Sequence, residues 1–348
     1  MHKHGGDIYQ NRDLLDFSIN VNPMGMPEGV REAARKGVDL AEKYPDTECR
    51  ELRSALAEFH QIPAEFIICA NGAAELIYSL VMAVRPRKAL VPVPSFFEYQ
   101  KALEMAGCEI IPYKMTKENK FTLGEEFTDY LTEDMDIVFL CNPNNPTGHI
   151  IEKRLLCRVV RICMEKNIRL VMDECFLDFV TGKESMSLLS YVRETSRVFL
   201  LKAFTKLYAM PGLRLGYGIC SDLELLSQIK ERTQPWNVSI PAQMAGIAAL
   251  REEEFRSMTG QFVDKERSYI QEELGKAGFT VWDSRANFVF FYSKTELYEF
   301  CLQQQILIRD CSNFEGLEQG YYRIAVRNHE DNQKILNVLR EAAKACQK

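Results

Sequence analysis

The stretch Leu200-Leu-Lys-Ala-Phe-Thr-Lys-Leu-Tyr-Ala-Met-Pro-Gly-Leu-Arg-Leu-Gly-Tyr217 decides how this chain is read. Val198 to Leu201 is an apolar strand. It runs into a polar turn with Thr205 and Lys206, and Arg214 precedes a second strand-like run, Leu215 to Cys220. A lysine on a turn between two buried strands is poorly placed as a solvated cation. It is well placed as an amine that bonds to an aldehyde, because desolvation and neighbouring cations lower its proton affinity. Thr205 and Arg214 flank it as donors for an anion, and a guanidinium suits phosphate better than an ammonium does. The plain alternative is a surface lysine beside a structural arginine.

Outward from that stretch the chain alternates. Strand-like runs fall at 66–69, 89–93, 109–113, 137–141 and 168–172, with helix-like runs such as 73–84, 96–106 and 153–166 between them. Several strand runs are apolar throughout, as expected when helices cover both faces. This predicts an α/β domain with a mostly parallel sheet. Helices are also expected at 28–43 and 48–60. After Trp236 the rhythm changes to helices at 241–251, 253–277, 294–303 and 330–345, with strands at 279–282, 287–292, 306–309 and 322–327. The expected division is a larger domain over residues 44–240 and a smaller α+β domain made of 1–43 with 241–348.

A length of 348 residues suits one large and one smaller domain. The net charge of −6 gives no broad attraction to nucleic acid or anionic membranes. No apolar run approaches the ~20 residues needed to span a bilayer. Eleven cysteines are scattered without metal or disulfide spacing, and the N-terminus lacks a secretory pattern. Both features lead to the expectation of a reducing, cytoplasmic setting.

Ligands of open α/β sheets bind beyond the carboxyl ends of the strands. Four polar features fall there. Asn71-Gly72-Ala73-Ala74-Glu75 opens a helix, where backbone amides favour an anion; alone it reads equally as a structural turn. Asn142-Pro-Asn-Asn-Pro-Thr-Gly148 pins the Asn145 amide. Asp173 ends an apolar strand and needs a cationic partner. A protonated pyridine nitrogen would serve: at contact and an effective dielectric near 20 the pair is worth roughly 4 kcal/mol, enough to keep the ring protonated at neutral pH. The fourth is the Lys206 stretch. A phosphate turn, an amide, a carboxylate, an amine and an arginine, in that order, match one cofactor, pyridoxal 5′-phosphate.

This constellation resembles the fold-type I aminotransferases over nearly the whole chain. The likeness rests on the Asn-Pro-Thr-Gly turn, Asp173-Glu174, Thr205-Lys206 and Gly212-Leu-Arg-Leu-Gly216. Within that superfamily it is similar to the histidinol-phosphate aminotransferase group, above all its decarboxylating members. His4-Gly-Gly6, Phe17-Ser-Ile-Asn-Val-Asn-Pro-Met-Gly25, Gln234-Pro-Trp-Asn-Val-Ser239, Ile308-Arg-Asp-Cys311 and Tyr321-Tyr-Arg-Ile-Ala-Val-Arg327 carry the closer likeness.

The resemblance implies that Lys206 carries the cofactor covalently, that Asp173 pairs with the ring nitrogen and that Asn145 contacts the ring oxygen. Gly72, Ala73, Thr205 and Arg214 would hold the cofactor phosphate. Tyr44 would reach the phosphate of a neighbouring subunit's cofactor, which implies a homodimer. Arg323 matches the arginine that grips the substrate carboxylate, and His4 and Asn20 match contacts to a substrate phosphate. Arg327, on the same strand face as Arg323, is expected to assist. Two positions depart from the group's usual pattern: Phe176 replaces a tyrosine that donates to the ring oxygen, and Ala203 replaces a small hydroxyl residue. The implied activity is decarboxylation of O-phospho-L-threonine to aminopropanol phosphate for the cobalamin side chain. The alternatives are histidinol-phosphate or related transamination and, on a different footing, a non-catalytic regulator of the same fold.

Overall fold

The computed structural model describes residues 5–6 and 13–345. A short strand β1 (Leu15–Asp16) precedes helices α1 (Glu28–Val38) and α2 (Arg50–His60). The chain continues through β2 (Ile67–Ala70), α3 (Ala73–Val84), β3 (Lys88–Val93), α4 (Glu98–Met105), β4 (Glu109–Lys114), β5 (Ile137–Cys141), α5 (Lys153–Glu165), β6 (Arg169–Asp173), β7 (Val198–Ala203), β8 (Gly216–Ile219) and α6 (Leu223–Glu231). Helices α7 (Ile240–Ala249) and α8 (Glu253–Lys276) lead to β9 (Thr280–Val281), β10 (Phe288–Tyr292), α9 (Tyr298–Gln303), β11 (Ile306–Leu307), β12 (Arg309–Asp310), β13 (Tyr321–Ala325) and α10 (His329–Ala345).

The main sheet has the order β2-β8-β7-β6-β5-β3-β4. Only β8 runs against the rest. Its central strands are buried on both faces, and their side chains alternate between two cores as the two-residue period requires. Val138, Leu140, Leu170, Met172 and Leu200 join one core, and Ile137, Phe139, Val171, Phe199 and Leu201 the other. A second sheet, β12-β13-β10-β9, is antiparallel, and β1 pairs in parallel with β11.

The register of the main sheet assembles the polar turns. Gly216 is opposite Ala70 on one side and Ala203 on the other. Arg214, two residues before Gly216, therefore lies between the Asn71–Ala73 turn and the Thr205–Lys206 turn. Asp173 is opposite Cys141 and Leu201 in its neighbouring strands. A Cβ on Gly216 would lie 2.3 Å from the Ala73 nitrogen, so only glycine lets β8 pass this close to the start of α3.

The structure departs from the sequence expectation in three places that matter. Helix α1 ends at Val38 rather than residue 43. A Cβ on Gly37 would lie 2.5 Å from the Pro241 Cα, so the helix is pressed against α7 just before the chain turns. Helix α6 was not anticipated, although Asp222 caps it by accepting the Leu225 N–H at 3.1 Å and Leu225, Leu226 and Ile229 are buried. The last strand stops at Ala325, short of residue 327.

Candidate active site

One cavity lies over the carboxyl ends of β5, β6 and β7. Its lining includes Asn20, Ala73, Asn145, Asp173, Phe176, Thr205, Lys206, Arg214, Arg309 and Arg323. Gly72 sits at its edge with φ +83°, and a Cβ there would lie 2.5 Å from Arg214 Nη2. The backbone thus leaves the guanidinium against the N-terminus of α3, two features that favour an anion. Arg214 itself is exposed, and its long contacts to the Pro211 and Asn71 carbonyls leave it donors to spare.

Lys206 is half-buried. Burial, then the charges of Arg323 and Arg214, pull its amine down to about 8. Its Nζ lies 5.7 Å from the centre of the Phe176 ring. Asp173 is buried and held at both oxygens, with acceptor capacity left: Oδ2 accepts the Tyr99 hydroxyl at 2.6 Å and Oδ1 accepts the Cys175 N–H at 2.9 Å. Behind it Glu174, wholly buried, pairs with Lys202 at 3.0 Å and accepts from Ser187 and Leu188. That pair anchors the loop after β6 to β7.

On the opposite wall Arg323 donates to Asn145 Oδ1 and, at 3.0 Å, to the Ser18 carbonyl. Arg309 sits directly across from it on β12. It donates to the Asp310 carbonyl and, at 2.8 Å, to Asn313 Oδ1. Both arginines are buried, Arg323 at 6% and Arg309 at 8% exposure, and among the described residues neither forms an ion pair. Burial lowers both; Arg323 falls to about 10, with Arg309 adding to the effect. Like charges directly opposite in a sheet repel, so this arrangement calls for an anion. Arg323 Nε and Asn20 Oδ1 are buried without a partner.

Of the residues singled out from sequence, Ala73, Asn145, Asp173, Thr205, Lys206, Arg214, Arg323 and Asn20 line this one cavity. Two do not. Arg327 is a correction: with β13 ending at Ala325, its guanidinium turns to Asp331 at 3.1 Å and to the Asp16 carbonyl at 3.0 Å, tying β1 to α10. Tyr44 faces outward at 78% exposure and packs on Trp236, with ring centres 4.6 Å apart. His4 lies outside the described residues. Arg309 and Tyr99 were not anticipated. Arg309 sat inside a stretch already noted for its likeness; its pairing with Arg323 depends on strand register. The residues present fit a phosphorylated pyridoxal: an anion cradle at Gly72, Ala73 and Arg214, a lowered amine, a buried carboxylate and unpartnered polar atoms facing one space.

Residues 12–339 match the model for aminotransferase class I and II, and the chain belongs to that family of pyridoxal-phosphate enzymes. It is 36% identical to the threonine-phosphate decarboxylase of Salmonella typhimurium, over 97% of this chain and 95% of that protein. It is 31% identical, over 96% of its own length, to 40% of an adenosylcobalamin biosynthesis bifunctional protein of Leptospira interrogans. Among solved structures it resembles the histidinol-phosphate aminotransferase of Clostridium acetobutylicum, with a TM-score of 0.89 and 32% identity, covering 95% of this chain and 100% of that one.

Proposed function

We propose that this chain decarboxylates O-phospho-L-threonine with pyridoxal 5′-phosphate, releasing carbon dioxide and aminopropanol phosphate. The observation that carries this reading is the charge of the cavity. Arg214, Arg309, Arg323 and Lys206 face one carboxylate, Asp173, among its described lining residues. One arginine at the helix start serves a cofactor phosphate. Two more, directly opposite one another, suit a substrate that brings both a carboxylate and a phosphate. The name of the Salmonella relative agrees with such a substrate.

In this reading Gly72, Ala73, Thr205 and Arg214 hold the cofactor phosphate, Asn145 its ring oxygen, Asp173 its ring nitrogen and Lys206 its aldehyde carbon. Bound there, the cofactor supplies a sink for the electrons left at the substrate Cα. Asp173, as a carboxylate, would keep the proton on the ring nitrogen. Arg323 and Arg309 grip the substrate anions and so set which Cα bond is aligned for cleavage. Lys206, close to neutrality, is the group placed to return a proton to Cα. The buried walls Phe97, Phe176 and Phe314, with the half-buried Phe96, limit water around that carbon. Tyr44 with Trp236 forms an outward aromatic pair that suits contact with a second copy, and the described cysteines are all free, which suits a cytoplasmic homodimer. No helix among the described residues is long and apolar enough to cross a membrane.

Transamination of histidinol phosphate is the second reading, favoured by the structural likeness to the Clostridium enzyme. Phosphothreonine supplied to the reconstituted protein separates the two. Carbon dioxide without a 2-oxoglutarate requirement is expected; robust glutamate-dependent transamination without gas release refutes the proposal. A protein that stays colourless with the cofactor and is indifferent to borohydride refutes both.

A further inference from the structure

We propose that Tyr99 is a positioning residue for Asp173, setting the charge and rotation of that carboxylate and, through it, the protonation of the cofactor ring nitrogen. The inference rests on the pyridoxal phosphate reading above. Tyr99 lies in the first turn of α4 and is buried at 1% exposure, outside the cavity lining. Its ring is stacked on Phe139, centres 5.1 Å apart, and meets Phe96 edge-on at 5.6 Å. That packing aims the hydroxyl at Asp173 Oδ2, 2.6 Å away. The other carboxylate oxygen takes a backbone N–H, and the Asp173 carbonyl accepts the Asn142 N–H at 2.9 Å. The carboxylate is therefore held at both oxygens while its strand end is held by the main chain.

A donor to a carboxylate favours its charged form, and a buried oxygen that loses its donor gains proton affinity. Between a buried carboxylate and a ring nitrogen the proton settles on the more basic partner. Tyr99 thus keeps Asp173 the weaker base and leaves the proton on the ring. The phenol does not compete for that role: burial, then the Asp173 charge, raise it well above its ordinary range, so it stays a donor. The neighbouring Cys141 thiol is a weak acceptor and does not divert the proton. A tyrosine kept only to fill space would be replaced by phenylalanine without consequence at the ring nitrogen.

The test is Tyr99→Phe in the holoenzyme, with Tyr78→Phe as control. Tyr78 donates to Glu98, a different carboxylate. Both proteins are reconstituted with cofactor labelled with ¹⁵N in the ring, and cofactor affinity is measured by titration of the apoprotein. The ¹⁵N resonance of the wild type and of Tyr78→Phe should report a protonated ring. Tyr99→Phe should move it toward the unprotonated value and weaken cofactor binding by about tenfold or more. An unmoved resonance overturns the proposal, even if affinity or stability falls, because that result is what a packing role alone gives. Should Tyr99→Phe not fold, 4-aminophenylalanine at position 99, a weaker donor of nearly the same shape, should move the resonance toward the unprotonated value; no movement overturns the proposal equally. If the wild type binds no cofactor, the functional reading fails instead, and the two failures are distinct.

Discussion

Replacing Lys206 with methionine in the cofactor-free protein should stabilise it, and the gain should shrink as pH rises. A free lysine titrates at 10.5; Lys206 is pulled to about 8 by burial and by Arg323 and Arg214. The folded value lies below the unfolded one, so the folded state resists the proton. Between the two values the unfolded chain binds more protons, and stability climbs with pH. The cost of charging Lys206 is fully present below about 8 and vanishes above about 10.5. At about 1.36 kcal/mol per unit the penalty at neutral pH is about 3 kcal/mol. Raising the pH from about 7 to about 9.5 should recover about 2 kcal/mol of it in the wild type and none in Lys206→Met. Urea unfolding of both apoproteins at the two pH values measures this directly, since every other titrating group is shared and cancels. A stability difference that does not change with pH refutes the argument, because the amine would then titrate alike folded and unfolded. The same lowered amine is what lets Lys206 attack an aldehyde near neutral pH.

Three further outcomes follow from the geometry. Arg323→Ala should weaken substrate binding by about 1.5–3 kcal/mol, read as a rise in KM, while the cofactor absorbance persists; because Arg323 is the largest charge lowering Lys206, the apoprotein amine should titrate higher. Gly72→Ala forces a side chain into φ +83° and against Arg214, and should lower cofactor affinity along with about 1–3 kcal/mol of stability, measured by titration and by denaturation. Glu174→Gln leaves the buried Lys202 without its carboxylate and should cost about 3–5 kcal/mol in an unfolding experiment; a loss near zero would mean water reaches Lys202.

The sequence by itself determined the alternation of apolar strands and amphipathic helices, and the placing of Gly72, Asn145, Asp173 and Lys206 at strand ends. Those signals are local: a two-residue period, a cap or a turn is written in neighbouring residues. The helix over 223–231 carries a local signal too, an Asp222 cap ahead of spaced leucines. Other features were decided only in three dimensions. The alignment of Ala70, Gly216 and Ala203 that carries Arg214 to the phosphate turn is a matter of strand register. So is the opposition of Arg309 and Arg323, which turned an unremarked arginine into a wall of the cavity. Tyr99 reaches Asp173 across 74 positions of chain. Arg327 shared a predicted strand face with Arg323, yet the strand ended two residues early and Asp331 claimed its guanidinium. Each of these depends on which distant segments pair and where a strand stops, and no local pattern encodes the partner of a hydrogen bond made so far along the chain.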